Sequence, residues 1–177
     1  TPLTAAAMVA LLHEAGVPRD ALQLVPGQGE SVGEALVAHP QVAGVMFTGS
    51  TEVARLIARQ LSTRLSPTGQ AIPLVAETGG QNAMVVDSSA LAEQVVADVL
   101  ASAFDSAGQR CSALRLLCLQ DDVADRTLTM LRDALQEWTL GNPDRLHTDV
   151  GPVIDAEAHA QIEAHIARMA DAGQKVT

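Results

Sequence analysis

The sequence predicts an α/β protein built on parallel strands. Short aliphatic runs alternate with segments of helical spacing. The runs are Leu22-Gln23-Leu24-Val25, Val42-Ala43-Gly44-Val45-Met46-Phe47, Ile72-Pro73-Leu74-Val75-Ala76, Ala83-Met84-Val85-Val86 and Leu114-Arg115-Leu116-Leu117-Cys118-Leu119. Strands that alternate with helices pair in parallel through right-handed crossovers. Composition agrees: 47 % of residues are apolar, yet the only aromatic ones are Phe47, Phe104 and Trp138. The core must be aliphatic, which suits buried parallel strands and the helices over them.

Each element has its own signal. Residues 4–15 put Ala7, Leu11 and Ala15 on one helical face with Met8 and Leu12 beside them. Thr4 is the expected cap and Gly16 the expected stop. The strand at 22–25 halts at Pro26, and Gly27-Gln28-Gly29-Glu30-Ser31-Val32-Gly33 leads into a helix ending near His39-Pro40. Strand, glycine turn, helix is the outline of a nucleotide-binding unit. The glycines do not follow the strict G-x-G-x-x-G spacing, so the residues alone leave open a ligand loop and a plain helix entry. After the strand at 42–47, Thr48-Gly49-Ser50-Thr51 turns into a helix over 52–61. Ser50 or Thr51 is its natural N-cap, and the free amides there either hold phosphate or merely begin a capped helix. A polar connection over 62–70 precedes the strand at 72–76.

From Gly80 a second α/β unit is expected. It has a strand at 83–86, a turn and cap at Asp87-Ser88-Ser89, and a long amphipathic helix over 91–106. A strand at 114–119, a helix over 123–138, a turn at 140–143 and a last helix over 156–172 follow. The chain opens on Thr1-Pro2-Leu3-Thr4 and closes on Gln174-Lys175-Val176-Thr177, where a strand could start. Both ends read as cut from something larger.

The bulk numbers exclude several classes. A net charge of −10 with 11 basic residues argues against nucleic acid and against an anionic membrane surface. No apolar run is long enough to span a bilayer. Two cysteines without a pairing pattern read as reduced thiols of a cytoplasmic protein. The five histidines show no metal spacing and are assigned to surfaces. Asp121-Asp122, Asp144 and Asp149 are isolated acids in turns, with no metal loop. No metal site is expected.

Two polar islands carry the candidate chemistry. Cys111 lies in Phe104-Asp105-Ser106-Ala107-Gly108-Gln109-Arg110-Cys111-Ser112-Ala113, flanked by small and polar residues rather than an apolar run. That setting suits a functional thiol, and Arg110 and Arg115 would favour its thiolate. Cys118, inside an apolar run, reads as core. Glu77 ends a buried strand beside Gly79-Gly80. A carboxylate there lines a cleft, because ligands bind outside the carboxyl ends of parallel strands, and it could serve as a general base.

Three signatures in order carry a family resemblance. Phe47-Thr48-Gly49-Ser50-Thr51-Glu52-Val53, Glu77-Thr78-Gly79-Gly80 and Gly108-Gln109-Arg110-Cys111 resemble those of the NAD(P)-dependent aldehyde dehydrogenases. Three motifs in order signal far more than any one of them. The likeness extends over the whole chain. Residues 45–54, 76–80 and 101–115 look most like the pyrroline-5-carboxylate (glutamate-γ-semialdehyde) dehydrogenase region of bacterial bifunctional proline-utilisation flavoproteins. Thr78, Gln81 and Ala54 stand where generic members have Leu, Lys and often Gly, which points toward that branch.

The resemblance implies a parallel-sheet, Rossmann-like aldehyde dehydrogenase fold. Residues 1–79 would be the C-terminal part of the NAD-binding domain, and 80–177 the N-terminal part of the catalytic domain. Cys111 would be the nucleophile and Glu77 the base, with the Cys111 amide helping to hold the oxyanion. NAD would meet Gly49 and Ser50 at its pyrophosphate and Gly29 on the adenine side. Thr78 would lie near the nicotinamide, with Gly79 beside it, and Ser112 would bond the substrate's carboxylate. The substrate would be a small aldehyde, and the parent a homo-oligomer. FAD would belong only to a separate proline dehydrogenase domain of the parent, if present.

The family's oxyanion asparagine and its Lys-Pro-x-Glu ribose segment would precede residue 1. Its Glu-x-Phe-Gly-Pro contact would follow the chain. NAD against NADP therefore stays open, and the 177 residues alone are expected to be inactive or nearly so. Two other readings compete. Reductive acyl-phosphate or semialdehyde dehydrogenases use the cysteine without a hydrolytic glutamate, so Glu77 speaks against them. A structural module could keep the motifs without the reaction.

Overall fold

The structure, a computed structural model, describes residues 2–175. The end of the strand start expected at 174–177 lies outside the described residues. Contacts divide the chain between Gly79 and Gly80 into two compact units.

The first unit opens with α1, Pro2–Glu14. Gly16, at φ +100°, ends it as expected. The Gly16 N–H donates to the His13 carbonyl and the Val17 N–H to that of Leu12, the paired bonds of a glycine-terminated helix. The strand expected at 22–25 does not form. The Ala21 and Leu22 N–H groups turn back to Pro18, and no strand among the described residues pairs with this run. A single π-helical turn, Gly29–Gly33, runs into the short helix α2, Glu34–Ala38.

The strand β1, Val45–Thr48, leads to α3, Thr51–Ser62, and then to β2, Leu74–Glu77. β1 and β2 pair in parallel, from Val45 with Leu74 to Thr48 with Glu77. Both ladders start later than expected, because Pro73 has no N–H to give. Its carbonyl still accepts from Val45 at 2.9 Å. Val37, Leu61 and Ile72 form this unit's buried core, with Val45, Ile57 and Leu74 packed against it. Arg64 donates to the carbonyl of Val37 at 2.6 Å, closing the end of α2.

The second unit contains β3, Asn82–Val86, then α4, Ala92–Phe104, and β4, Leu114–Leu119. Two helices follow: α5, Asp121–Gln136, and α6, Ala156–Asp171. Asp121 and Asp122 do not sit in a turn, as expected, but open α5, where carboxylates favour the helix dipole. The parallel pairing holds, but as two separate two-stranded sheets, β1–β2 and β3–β4. The second core joins Val86, Val95, Val99 and Leu114 with Met84, Leu117 and Leu119.

A bulge interrupts the second ladder. Asn82 pairs with Leu114, but Ala83 pairs with Leu116, so Arg115 has no opposite residue. The extra residue flips the pleat by one. Leu114 points into the core, and beyond the bulge Leu117 and Leu119 do so. Cys118, expected in the core, is therefore exposed, on the same side as the exposed Leu116.

Candidate active site

In the first unit, the candidate residues gather at the carboxyl edge of β1 and β2. The Gly49 N–H donates to the Glu77 carbonyl at 3.1 Å, locking the turn after β1 to the end of β2. Ser50, with extended backbone, caps α3: its Oγ accepts from the Val53 N–H at 3.2 Å. The first amides of α3 are thus presented at the sheet's carboxyl edge, an arrangement suited to an anion. Glu77 and Gly79 are exposed there and Thr78 is half-buried. Phe47 folds its ring over Gly49, where a Cβ would collide with the ring.

Beside this edge, β1 forms one wall of a cleft of about 990 Å³ lined by Gly29, Gly33, Val37, Val45, Phe47 and Ile57, among others. Gly29 is part of that lining, whereas Gly49 and Ser50 lie outside it.

In the second unit, the candidate thiol follows a strained turn. α4 stops at Phe104, short of the expected end, and a tight turn over Asp105–Gly108 follows. Ser106 and Ala107, both at φ 55°, and Gly108, at φ 68°, are consecutively left-handed. For a non-glycine residue that conformation costs about 1–2 kcal/mol. Gly108 is also hemmed in: a Cβ there would stand 2.7 Å from the Ala103 carbonyl oxygen.

Side chains brace the turn from several directions. Arg115 donates to the Gly108 carbonyl at 2.6 Å. Gln109 donates to the Ser106 carbonyl at 2.9 Å, and its Oε1 accepts from the Ile154 N–H at 2.7 Å. Arg110 donates to the Ala101 carbonyl at 2.9 Å and lies 3.7 Å from the Asp105 carboxylate. Asn82 donates to the carbonyls of Cys111 and Ala113, at 2.8 Å and 3.0 Å. Ala113 is wholly buried, while Cys111 and Ser112 are exposed.

The two arginines expected to act on the thiol are thus engaged with main-chain carbonyls and Asp105, and they serve to hold the turn. At the other end of β3, Asp87 has its carboxyl held below the usual range by hydrogen bonds from the Ser89 side chain and backbone N–H. It belongs to the turn before α4. Sequence reasoning assigned no role to Asn82 or Gln109 and missed the bracing role of Arg115. The available signal was a polar residue, Asn82, opening an otherwise apolar run.

An α/β protein with parallel strand pairs, a capped anion-ready helix start in one unit and an exposed thiol on a braced turn in the other defines a narrow class. The aldehyde dehydrogenase family model matches residues 1–177, and the chain belongs to that family. It is 66 % identical over 176 residues to the bifunctional protein PutA of Klebsiella aerogenes, covering 99 % of this chain and 13 % of that protein. A crystal structure of a Bradyrhizobium japonicum proline utilization A (PutA) mutant is similar with a TM-score of 0.89 and 57 % identity, over 97 % of this chain and 17 % of that one. The Thermus 1-pyrroline-5-carboxylate dehydrogenase with bound NAD is similar with a TM-score of 0.83 and 32 % identity, over 94 % of this chain and 32 % of that one.

Proposed function

We propose that this chain carries the thiol and the base of an NAD-dependent dehydrogenase that oxidises L-glutamate γ-semialdehyde to glutamate in proline catabolism. The observation that supports it best is Cys111 itself: an exposed, unpaired thiol three residues after a strained turn, on backbone that Asn82 and Arg115 hold from either side. Strained backbone clusters where function uses it. The likeness to PutA and to 1-pyrroline-5-carboxylate dehydrogenase supports the substrate.

In this reading residues 1–79 belong to the NAD-binding domain and residues 80–177 to the catalytic domain. The Cys111 thiolate attacks the aldehyde carbon, and the Cys111 N–H donates to the oxyanion that forms. NAD⁺, when bound, supplies the hydride acceptor that converts the thiohemiacetal to a thioester. Glu77 takes a proton from the water that hydrolyses the thioester and frees the thiol. Ser50 and the first amides of α3 meet the pyrophosphate at the turn that Gly49 opens, its own N–H being held by the Glu77 carbonyl, and Gly29 borders the apolar cleft on the adenine side. Thr78 and Gly79 line the nicotinamide end, and Ser112 donates to the substrate's carboxylate. The cleft has the size and apolar walls that a dinucleotide's adenosine half needs.

We place the protein in the cytoplasm, as a homo-oligomer, with FAD confined to any separate proline dehydrogenase domain. No helix among the described residues is long and apolar enough to cross a membrane.

The test is NADH formation from glutamate semialdehyde by the full-length gene product. Cys111→Ala should lower turnover by at least about 10⁴-fold, as removing a nucleophile does elsewhere. Glu77→Gln should keep a first-turnover burst of NADH while steady turnover falls roughly 100-fold. Normal turnover by Cys111→Ala would refute the mechanism. Oxidation of simple aldehydes but not of this semialdehyde would refute the substrate.

A further inference from the structure

Asn82 opens β3 opposite the bulge, and its side chain leaves the strand to reach the cysteine turn. Its amide nitrogen donates to the carbonyls of Cys111 at 2.8 Å and of Ala113 at 3.0 Å. Both N–H groups of the amide are then used. The two carbonyls bracket Ser112, so one side chain grips the backbone on both sides of the residue after the thiol. Across the turn, Arg115, the residue the bulge frees from the ladder, grips the Gly108 carbonyl at 2.6 Å. The bulge thus supplies a clamp at each end of the segment that carries Cys111. Among the described residues no other donor reaches the Cys111 carbonyl.

An exposed thiol has little packing to hold it. Attack on a carbonyl carbon needs the sulfur within about 3–3.5 Å and aligned. The alignment must then come from the main chain. We propose that Asn82 is a positioning residue for Cys111: by holding the Cys111 and Ala113 carbonyls it sets the backbone angle at Cys111, and with it where the thiol points. This rests on the reading of Cys111 as nucleophile.

The experiment uses the full-length gene product with glutamate semialdehyde and NAD⁺. It compares Asn82→Asp, Asn82→Ala, Asn82→Gln and Cys111→Ala. Asn82→Asp preserves the shape, but an ionised carboxylate only accepts hydrogen bonds and faces two carbonyls. It should lower kcat roughly 10- to 100-fold, the cost of a misplaced reacting group. KM should stay within about twofold, because ground-state binding is untouched. Asn82→Ala should behave alike. Asn82→Gln, which keeps both donors, should recover part of the loss. Iodoacetamide should still label Cys111 in the Asn82 variants, so the thiol is present but misdirected.

Asn82→Asp with wild-type kcat overturns the proposal, as does a rise in KM with kcat unchanged. If Asn82→Ala fails to fold, the isosteric Asp variant still decides. An inactive Cys111→Ala beside a normal Asn82→Asp sinks the positioning role alone. An active Cys111→Ala sinks the nucleophile reading and this proposal with it.

Discussion

The turn after β1 and the turn before β4 hold their shapes by different means. Thr48–Thr51 is held by one main-chain bond from Gly49 to Glu77 and one cap, the Ser50 hydroxyl on the Val53 N–H. No residue in it has a positive φ. The turn at Asp105–Gly108 contains three consecutive left-handed residues, two of them not glycine, and is tied by Gln109 on the Ser106 carbonyl, Arg115 on the Gly108 carbonyl and Arg110 beside Asp105. The first needs no strained residue, only one bond to the neighbouring strand and its own cap. The second is imposed from outside and lasts only while its ties do. A site that presents main-chain amides to a ligand can be made from ordinary capping, because every helix start has those amides. A site that aims one side chain needs a backbone that cannot relax.

That contrast is most sharply tested by making the same substitution in both turns. Gly108→Ala adds a Cβ at positive φ, 2.7 Å from a backbone oxygen. Neither can move cheaply, so the loss should be about 1–3 kcal/mol. Gly49→Ala meets only the far end of the Phe47 ring, which can swing aside, and should cost about 1 kcal/mol or less. Trp138 packs edge-on against Phe104, with ring centroids 6.1 Å apart, so its fluorescence reports the unit that holds Gly108. The denaturant midpoint should fall clearly for Gly108→Ala, read by Trp138 fluorescence, and hardly move for Gly49→Ala, read by helical circular dichroism, which includes α3 of the unit that holds Gly49. Equal shifts would mean that the two turns are held alike.

How much could be read in the residues follows the same division. Gly16 as a helix stop, Ser50 as a cap and Glu77 at a strand end were legible because each depends on neighbours in sequence. The arrangement around Cys111 was not. The expectation that Cys118 is buried came from the apolar run around it, and the bulge at one unpaired residue, Arg115, leaves that position facing outward. The Asp105–Gly108 turn was hidden for a similar reason. Ser106 and Ala107 have no local preference for left-handed backbone, and the turn is held by side chains outside it, Gln109 on the Ser106 carbonyl and Arg115 on the Gly108 carbonyl. The missing strand at 22–25 is the converse case: local propensity was present, but no strand among the described residues pairs with it.

The capped turn should respond to loss of its cap as isolated helices do. Ser50→Ala removes the acceptor for the Val53 N–H and should cost about 1 kcal/mol, whereas Ser50→Asp should keep most of the stability. Melting followed by helical circular dichroism would show it. A loss for Asp as large as that for Ala would mean that Ser50 does more than cap.

The smallest expected effect has the opposite sign. Ala107→Gly places at φ 55° a residue that tolerates it. The relief should be about 1–2 kcal/mol, and the extra freedom of the unfolded chain should take back about 0.4–1 kcal/mol. A net stabilisation of roughly 0.5 kcal/mol is expected, seen as a slightly higher Trp138 midpoint. In the turn after β1 the balance runs the other way. Ser50→Gly relieves no strain and removes a cap, so glycine can only weaken it. If Ala107→Gly stabilises the protein while slowing turnover, the strain at the cysteine turn is tolerated for the aim it gives Cys111. If it stabilises with turnover unchanged, the ties from Asn82 and Arg115 suffice to aim the thiol, and the strain at Ala107 is only a by-product of how the turn is tied.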